Sequence, residues 1–323
     1  MKKFLSKILI FILIVATISL GVNFVYIKRD RAESQSIGKF KKIPESVKVC
    51  NFGSSHGLYS FNYEEIKDIG TFNFALSSQL PSYDKRIFDC YKDKISEGAV
   101  VFIPVSYFSL YGCDETETEE FPKMNKRYYQ ILPPSLIKEY DLKTHIYSKY
   151  FPALSNGGDL FKILAFGTKD TVTRKWAEKA TDIDVKRHAA SACEDHIFKN
   201  KFDESGKRIV NVKEVNALKD LINACKEKNC TPILITTPFL SEYTDEIRRR
   251  DPAFFDDFYK QVGNIVEETG VSYYDYGFDE RFVHNYGIFM NSDHLNSEGA
   301  KMFVKILMDE VVHYGKSDSL ISG

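Results

Sequence analysis

The run Ala99, Val100, Val101, Phe102, Ile103, Pro104 and Val105 is apolar at every position. A half-exposed strand alternates apolar with polar residues, so a strand apolar on both faces must be covered on both sides. That requirement points to a parallel sheet lying between two layers of helices. Shorter apolar runs at 47–52, 71–76, 232–237 and 271–274 read as further strands. Helical spacing separates them at 82–94, 215–227 and 254–268, with a short helical stretch at 62–67 and a closing helix over 297–312. Within 215–227, Ala217, Leu218, Leu221, Ile222 and Cys225 share one face, the mark of an amphipathic helix. The alternation predicts an α/β fold in three layers, α/β/α, with a parallel sheet of about five strands.

The rhythm breaks over about 112–210. That stretch carries an acidic run at 114–120, the pair Pro133-Pro134 and the turn Asn156-Gly157-Gly158. It reads as a mostly helical insertion between the third and fourth strands. An insertion there overhangs the carboxyl ends of the strands, where open α/β sheets bind ligands, and suits a lid or an acceptor-binding subdomain.

Residues 8–27 are uncharged and mostly apolar, flanked by Lys2, Lys3 and Lys7 before and Lys28, Arg29 and Arg31 after. The length suffices to cross a bilayer core. A cleavage site at Ser19-Leu20-Gly21 would make it a signal peptide, but residues 22–27 stay uncharged and mostly apolar, which favours retention. The expected order is therefore an anchor over 1–30, a charged tether over 31–45 and an α/β domain over 46–315. The charge flanks are nearly balanced, so orientation is argued from cargo. A short basic tail stays in the cytoplasm more easily than a large domain, which places the domain outside the cell membrane as a single-pass protein.

Composition narrows the function. A net charge of −1 gives nothing that points to nucleic acid. The 19 tyrosines and 25 phenylalanines suit a well-filled core, which is their expected use ahead of aromatic platforms for a carbohydrate. The six cysteines lack metal-ligand spacing. Cys225 and Cys230 straddle a helix end and the next strand, where a bridge could form. There is no glycine-rich phosphate loop. His188 and His196 flank Cys193, Glu194 and Asp195, a spacing that fits no common metal site, and read as a polar helical face. No metal or cofactor is expected.

The chemistry gathers at two places. Ser55 follows the first strand in Asn51-Phe52-Gly53-Ser54-Ser55-His56-Gly57, and some 240 residues later His294 precedes the last helix in Asn291-Ser292-Asp293-His294-Leu295-Asn296-Ser297-Glu298-Gly299-Ala300. A serine hydroxyl is a poor nucleophile until a neighbouring base takes its proton. The pair reads as nucleophile and base. His56, beside Ser55 on a tight turn, is badly placed as the base and reads as a substrate contact or a turn stabiliser.

Gly53-Ser54-Ser55 and Asp293-His294-Leu295-Asn296 with Gly299-Ala300, in this order on an α/β rhythm, resemble the SGNH/GDSL hydrolase superfamily. The chain is similar to its membrane-anchored surface branch, which includes the D-alanyl transfer proteins of teichoic acid synthesis and, more distantly, alginate-type O-acetyltransferases. The resemblance spans residues 47–312 without the insertion. It implies a serine esterase or O-acyltransferase acting on acyl groups, with acetyl the expected one, of cell-wall or exported polysaccharide, without cofactor. A cell-surface glycan or acyl carrier as substrate and an integral-membrane acyltransferase as partner follow from the same likeness. The family's acid lies three residues before the histidine, a position held here by Asn291, while Asp293 lies directly before it. Either supports His294, with Asp293 favoured because an acid stabilises the imidazolium as it forms. The family's oxyanion glycine and asparagine are also missing. Ser77, Ser78 and Ser106 are the candidates to replace them, and Tyr107 is a candidate substrate contact. These departures keep open a catalytically weakened protein that binds glycan or serves an acyltransferase.

Overall fold

A computed structural model describes residues 2–30, 37–113, 121–155, 165, 176 and 178–312. It divides into two compact units, one drawn from residues 1–42 and 122–174, the other from 43–121 and 175–323. Among the described residues the helices include, in chain order, α1 (Lys2–Asp30), α2 (Ser55–Ser60), α3 (Pro81–Tyr91), α4 (Leu142–Tyr150), α5 (Pro152–Ser155) and α6 (Asp182–Cys193). They continue with α7 (Val212–Glu227), α8 (Ser241–Arg250), α9 (Phe254–Thr269) and α10 (Ser297–Glu310). The strands are β1 (Val47–Asn51), β2 (Thr71–Asn73), β3 (Ile95–Pro104), β4 (Thr231–Thr236) and β5 (Ser272–Asp275).

The second unit is the three-layer α/β/α arrangement. Its five strands run in the order β2-β1-β3-β4-β5, and every neighbouring pair is parallel. The apolar run in β3 lies between β1 and β4, where both of its faces are buried. One face of the sheet, with Val49, Val100, Phe102, Ile233 and Ile235, packs on Phe303, Val304 and Leu307 of α10. The alternate residues Cys50, Val101 and Leu234 are equally buried and turn to the opposite face, since strand side chains alternate. There α7 meets β4, α3 and α9. Each fully buried large aliphatic or aromatic side chain contributes about 1.5–3 kcal/mol, so the two-sided core is the main source of the unit's stability. Local signals set the helix ends: Asn296 caps α10 by accepting from the Glu298 and Gly299 N–H groups, and α9 stops at Gly270 with φ 62°. The winding reverses between β1 and β3, so the carboxyl ends of these strands form the switch point where ligands bind in such sheets.

One expectation changes. Residues 62–67 are not helical: the Asn62 side chain accepts from the Glu64 N–H at 3.1 Å and turns the chain, a local bond that competes with a helix. The helix sits earlier, at α2. The α8 helix shows little apolar periodicity in the sequence, because only Tyr243 and Ile247 provide its buried apolar side chains. All six cysteines are free thiols, Cys225 and Cys230 included. Over 112–210 the described residues hold helices and no strand, in agreement with a helical insertion, with single bridges joining Tyr111 to Val210 and Phe202 to Arg208. The acidic run at 114–120 and the turn at 156–158 lie outside the described residues.

In the first unit, residues 3–28 of α1 form a helix long and apolar enough to cross a membrane, with a mean hydropathy of 2.7. Most of its side chains are exposed, whereas Asn23 and Tyr26 are buried. The Asn23 amide donates to the Tyr150 carbonyl at 2.6 Å and its oxygen accepts from the Ala153 N–H at 3.2 Å. These bonds fasten α1 to the end of α4 and the start of α5.

Candidate active site

The turn that carries Ser55 is built by two glycines and a buried carboxyl. Gly53 adopts φ +108°, a conformation that side-chain-bearing residues rarely take. A Cβ at Gly57 would fall 2.3 Å from the Phe52 carbonyl oxygen, so only glycine lets α2 start this close to β1. The Gly53 N–H donates to Asp84 Oδ1 at 2.9 Å, and the Gln79 amide donates to the same oxygen at 2.6 Å. Burial pushes the Asp84 carboxyl up to about 7 against these two bonds. Ser54 caps α2, accepting from the His56 N–H at 3.4 Å. Ser55 is left half-buried at the first turn of α2.

His294 reaches this serine from the loop before α10, its Nε2 2.9 Å from Ser55 Oγ. The tautomer follows from Asn291. The Asn291 oxygen accepts from the backbone N–H groups of His294 at 2.8 Å and Asp293 at 3.2 Å, and faces His294 Nδ1 at 3.1 Å. An acceptor there requires Nδ1 to carry the proton. The Nε2 lone pair then faces the serine hydroxyl. Asp293 Oδ1 is closer to Nδ1, at 2.9 Å, but it forms no aligned hydrogen bond and lies fully buried. Asn291 thus offers the ring an aligned neutral acceptor, and Asp293 a nearer carboxylate oxygen.

Asp293 also gathers more imidazoles than the sequence suggests. His56 Nε2 is 3.3 Å from its Oδ2, His196 Nδ1 3.4 Å from the same oxygen, and His188 Nδ1 3.6 Å from its Oδ1. Burial alone would raise the Asp293 carboxyl; the adjacent His294 and His56 hold it well below the usual carboxylate range. Burial lowers the His56 imidazole to about 4, with Asp293 opposing. His56 is thus neutral, donates from Nε2 to Asp293 and accepts at Nδ1 from the Ser106 hydroxyl at 2.7 Å. Burial likewise lowers His188 and His196. His56, Asp293 and His294 bring ligand-type atoms within 4.8 Å of one another. A metal bound to these atoms would take Nδ1 of His294 from Asn291 and so compete with the Ser55–His294 pair.

Several sequence assignments are corrected. His56 is fully enclosed, with Phe108 and Phe239 edge-on to its ring, and cannot contact substrate. Ser106 is buried and its hydroxyl is committed to His56, so it is not a free oxyanion donor. Tyr107 stacks on Phe239 and meets Phe255 and Phe258 in the core; it does not line a cleft. Ser77 and Ser78 are exposed on the loop after β2, which is tied to the turn that carries Ser55 by Leu76 N–H to Gly53 carbonyl at 3.3 Å. His188 and His196 are half-buried, and both turn their rings toward Asp293. His188 lies on α6 and accepts from the Asn291 amide at 3.1 Å, and His196 lies in the π-helical turn Glu194–Phe198 that continues α6. That local widening turns His196 toward Asp293, and no sequence period announces it. Tyr59, unassigned from sequence, sets its ring edge-on to His294 at 5.4 Å, and Trp176 donates to the Tyr59 carbonyl at 3.3 Å.

No protein-family model matches the chain, and no curated protein matches it. Among solved structures, a Bacteroides fragilis protein provisionally named an acylhydrolase aligns over 86% of this chain and 93% of its own, at 9% identity and a TM-score of 0.39. At that level the likeness bears on neither chemistry nor substrate, and the reaction rests on the side chains.

Proposed function

We propose that the protein is a serine enzyme acting on esters, anchored by α1 with its α/β unit outside the membrane. Ser55 Oγ attacks the acyl carbonyl while His294 Nε2 takes its proton; His294 then returns that proton to the departing oxygen. The observation that carries the reading is the 2.9 Å contact from His294 Nε2 to Ser55 Oγ with Nδ1 held by Asn291. Asp293, with its charge shared among the surrounding imidazoles, stabilises the imidazolium. The Ser55 N–H lies in the first turn of α2, where N–H groups have no intrahelical acceptor, and Ser77 or Ser78 adds a second oxyanion donor. Water resolves the acyl-enzyme in an esterase, a sugar hydroxyl in a transferase. The anchor, and the Tyr59 ring beside His294 as a stacking surface, favour acetylated surface polysaccharide as substrate.

A second reading has one observation in its favour. The group aligned with His294 Nδ1 is the neutral amide of Asn291, which suits a protein that binds glycan or serves a membrane acyltransferase. Fluorophosphonate labelling separates the two. An activated Ser55 labels within minutes, and Ser55→Ala loses the label with its melting temperature unchanged. A wild-type chain that resists the probe and leaves both p-nitrophenyl acetate and acetylated glycan intact supports the binding protein. Acetate release, or acetyl transfer to added glycan, reports which acceptor resolves the intermediate.

A further inference from the structure

Helix α4 carries an apolar stripe that the first unit leaves uncovered. Leu142, Ile146 and Tyr150 follow at four-residue spacing, with Tyr147 beside them, and they are 63%, 40%, 56% and 41% exposed. His145 and Ser148, on the opposite side of the helix, are buried. Tyr140, just ahead of the helix, is 39% exposed. The stripe opens onto a groove of about 710 Å³ that also takes in Asp141, Lys143 and Phe151; the Asp141 carboxylate is engaged as the cap of α4, accepting from the Thr144 N–H. Solvent does not favour so many large apolar side chains on one short helix.

The place of this stripe says what covers it. The uncharged span of α1 ends at Ile27, so at 1.5 Å per residue Asn23 lies about 6 Å inside the far edge of the bilayer core. Asn23 is the residue that holds the Tyr150 carbonyl and the Ala153 N–H. Where residues 8–27 of α1 span a bilayer, the junction of α4 and α5 is therefore held at the boundary between acyl chains and headgroups, the depth at which interfacial helices lie. Tyrosine is enriched at that depth, because its ring is apolar and its hydroxyl reaches water. Lys143 within the stripe and Lys149 at its edge are exposed. Such stems lie along apolar surface while their ammonium groups reach phosphate.

We propose that the Leu142–Ile146–Tyr147–Tyr150 face of α4 beds into the membrane–water interface, with phospholipid headgroups and upper acyl chains as its occupant. The unit then has two membrane contacts, a spanning helix and an interfacial one, joined through Asn23. A single span leaves a domain free to swivel; a second, in-plane contact restrains that motion. The inference rests on α1 being the anchor and not on the ester chemistry.

The test uses the full chain in phosphatidylcholine vesicles. The sequence has one tryptophan, Trp176, which is buried, so the wild type sets the background. Tyr147→Trp should emit further to the blue than in detergent and lose at least half of its added signal in vesicles of 6,7-dibrominated lipid. Ile146→Trp serves if the first variant folds poorly. Flotation of the vesicles is read on the same samples. A chain that floats but shows no more quenching than the wild type overturns the interfacial contact and leaves the face to a protein partner. A chain that does not float overturns the anchor and this inference together.

Discussion

Replacing Asp293 by asparagine keeps the shape of the site and removes its charge. The amide oxygen of the new side chain could still accept from His56 Nε2, so the packing around the imidazoles should survive. What is lost is the field at His294, whose Nδ1 is 2.9 Å from Asp293 Oδ1. With charge centres about 4 Å apart and an effective dielectric constant of about 20, a unit pair is worth about 4 kcal/mol. His294 keeps some contact with solvent, and three other imidazoles share the carboxylate, which trims this to about 3 kcal/mol, or roughly a hundredfold in rate. Asn291→Ala instead removes one neutral acceptor from the ring, about 0.5–1.5 kcal/mol, or at most about tenfold. Asn291→Asp sets a second carboxylate beside the buried one and takes away the amide that His188 accepts from, so it should gain less than tenfold. The measurement is the second-order rate of fluorophosphonate labelling at pH 7.5, with p-nitrophenyl acetate turnover alongside and melting temperatures as a fold control. The division of labour is refuted if Asp293→Asn stays within about threefold of wild type. A gain of tenfold or more in Asn291→Asp would refute it too, because an aligned charge would then be what the site lacks.

Further outcomes follow from the same geometry. Gly57→Ala must move a Cβ that falls 2.3 Å from the Phe52 carbonyl, and should cost about 2–3 kcal/mol or more in urea denaturation; a loss under about 0.5 kcal/mol would show that the turn relaxes freely. Asp84 has its carboxyl raised from 3.8 to about 7 by burial, so the folded chain holds a proton that the unfolded chain has released. Its contribution is greatest below 3.8 and is lost as pH rises through about 7. Asp84→Asn keeps an acceptor for the Gly53 N–H, and melts at pH 5 and 8 should show a smaller decline than wild type. Burial lowers the His56 imidazole from 6.5 to about 4, so stability should fall as pH drops through that window. His56→Gln should flatten this acid loss, and an unchanged slope would assign it to other groups. Protease added to intact cells should digest the α/β unit, and protection until lysis would reverse the proposed orientation.

The sheet was legible because each strand announces itself locally. An apolar run such as 99–105 can be satisfied only between two covering layers, whatever the distant chain does. Gly53-Ser54-Ser55 and Asp293-His294 were legible for a related reason. A nucleophile turn and a histidine just before a capped helix are short-range patterns whose positions relative to strand and helix can be read residue by residue. Side-chain direction is different in kind. Ser106 and Tyr107 visibly follow β3, but only the packed structure turns one hydroxyl to His56 and the other ring into the Phe239 and Phe258 cluster. His188 and His196 come to Asp293 through the path of the insertion and a π-helical turn, and a period-based reading sees only a helix face. Asn291 and Asp293 were both candidates by spacing. Which one aligns with the ring and which one holds the charge is decided by the backbone around His294, because hydrogen bonds depend on angle and Coulomb attraction mainly on distance.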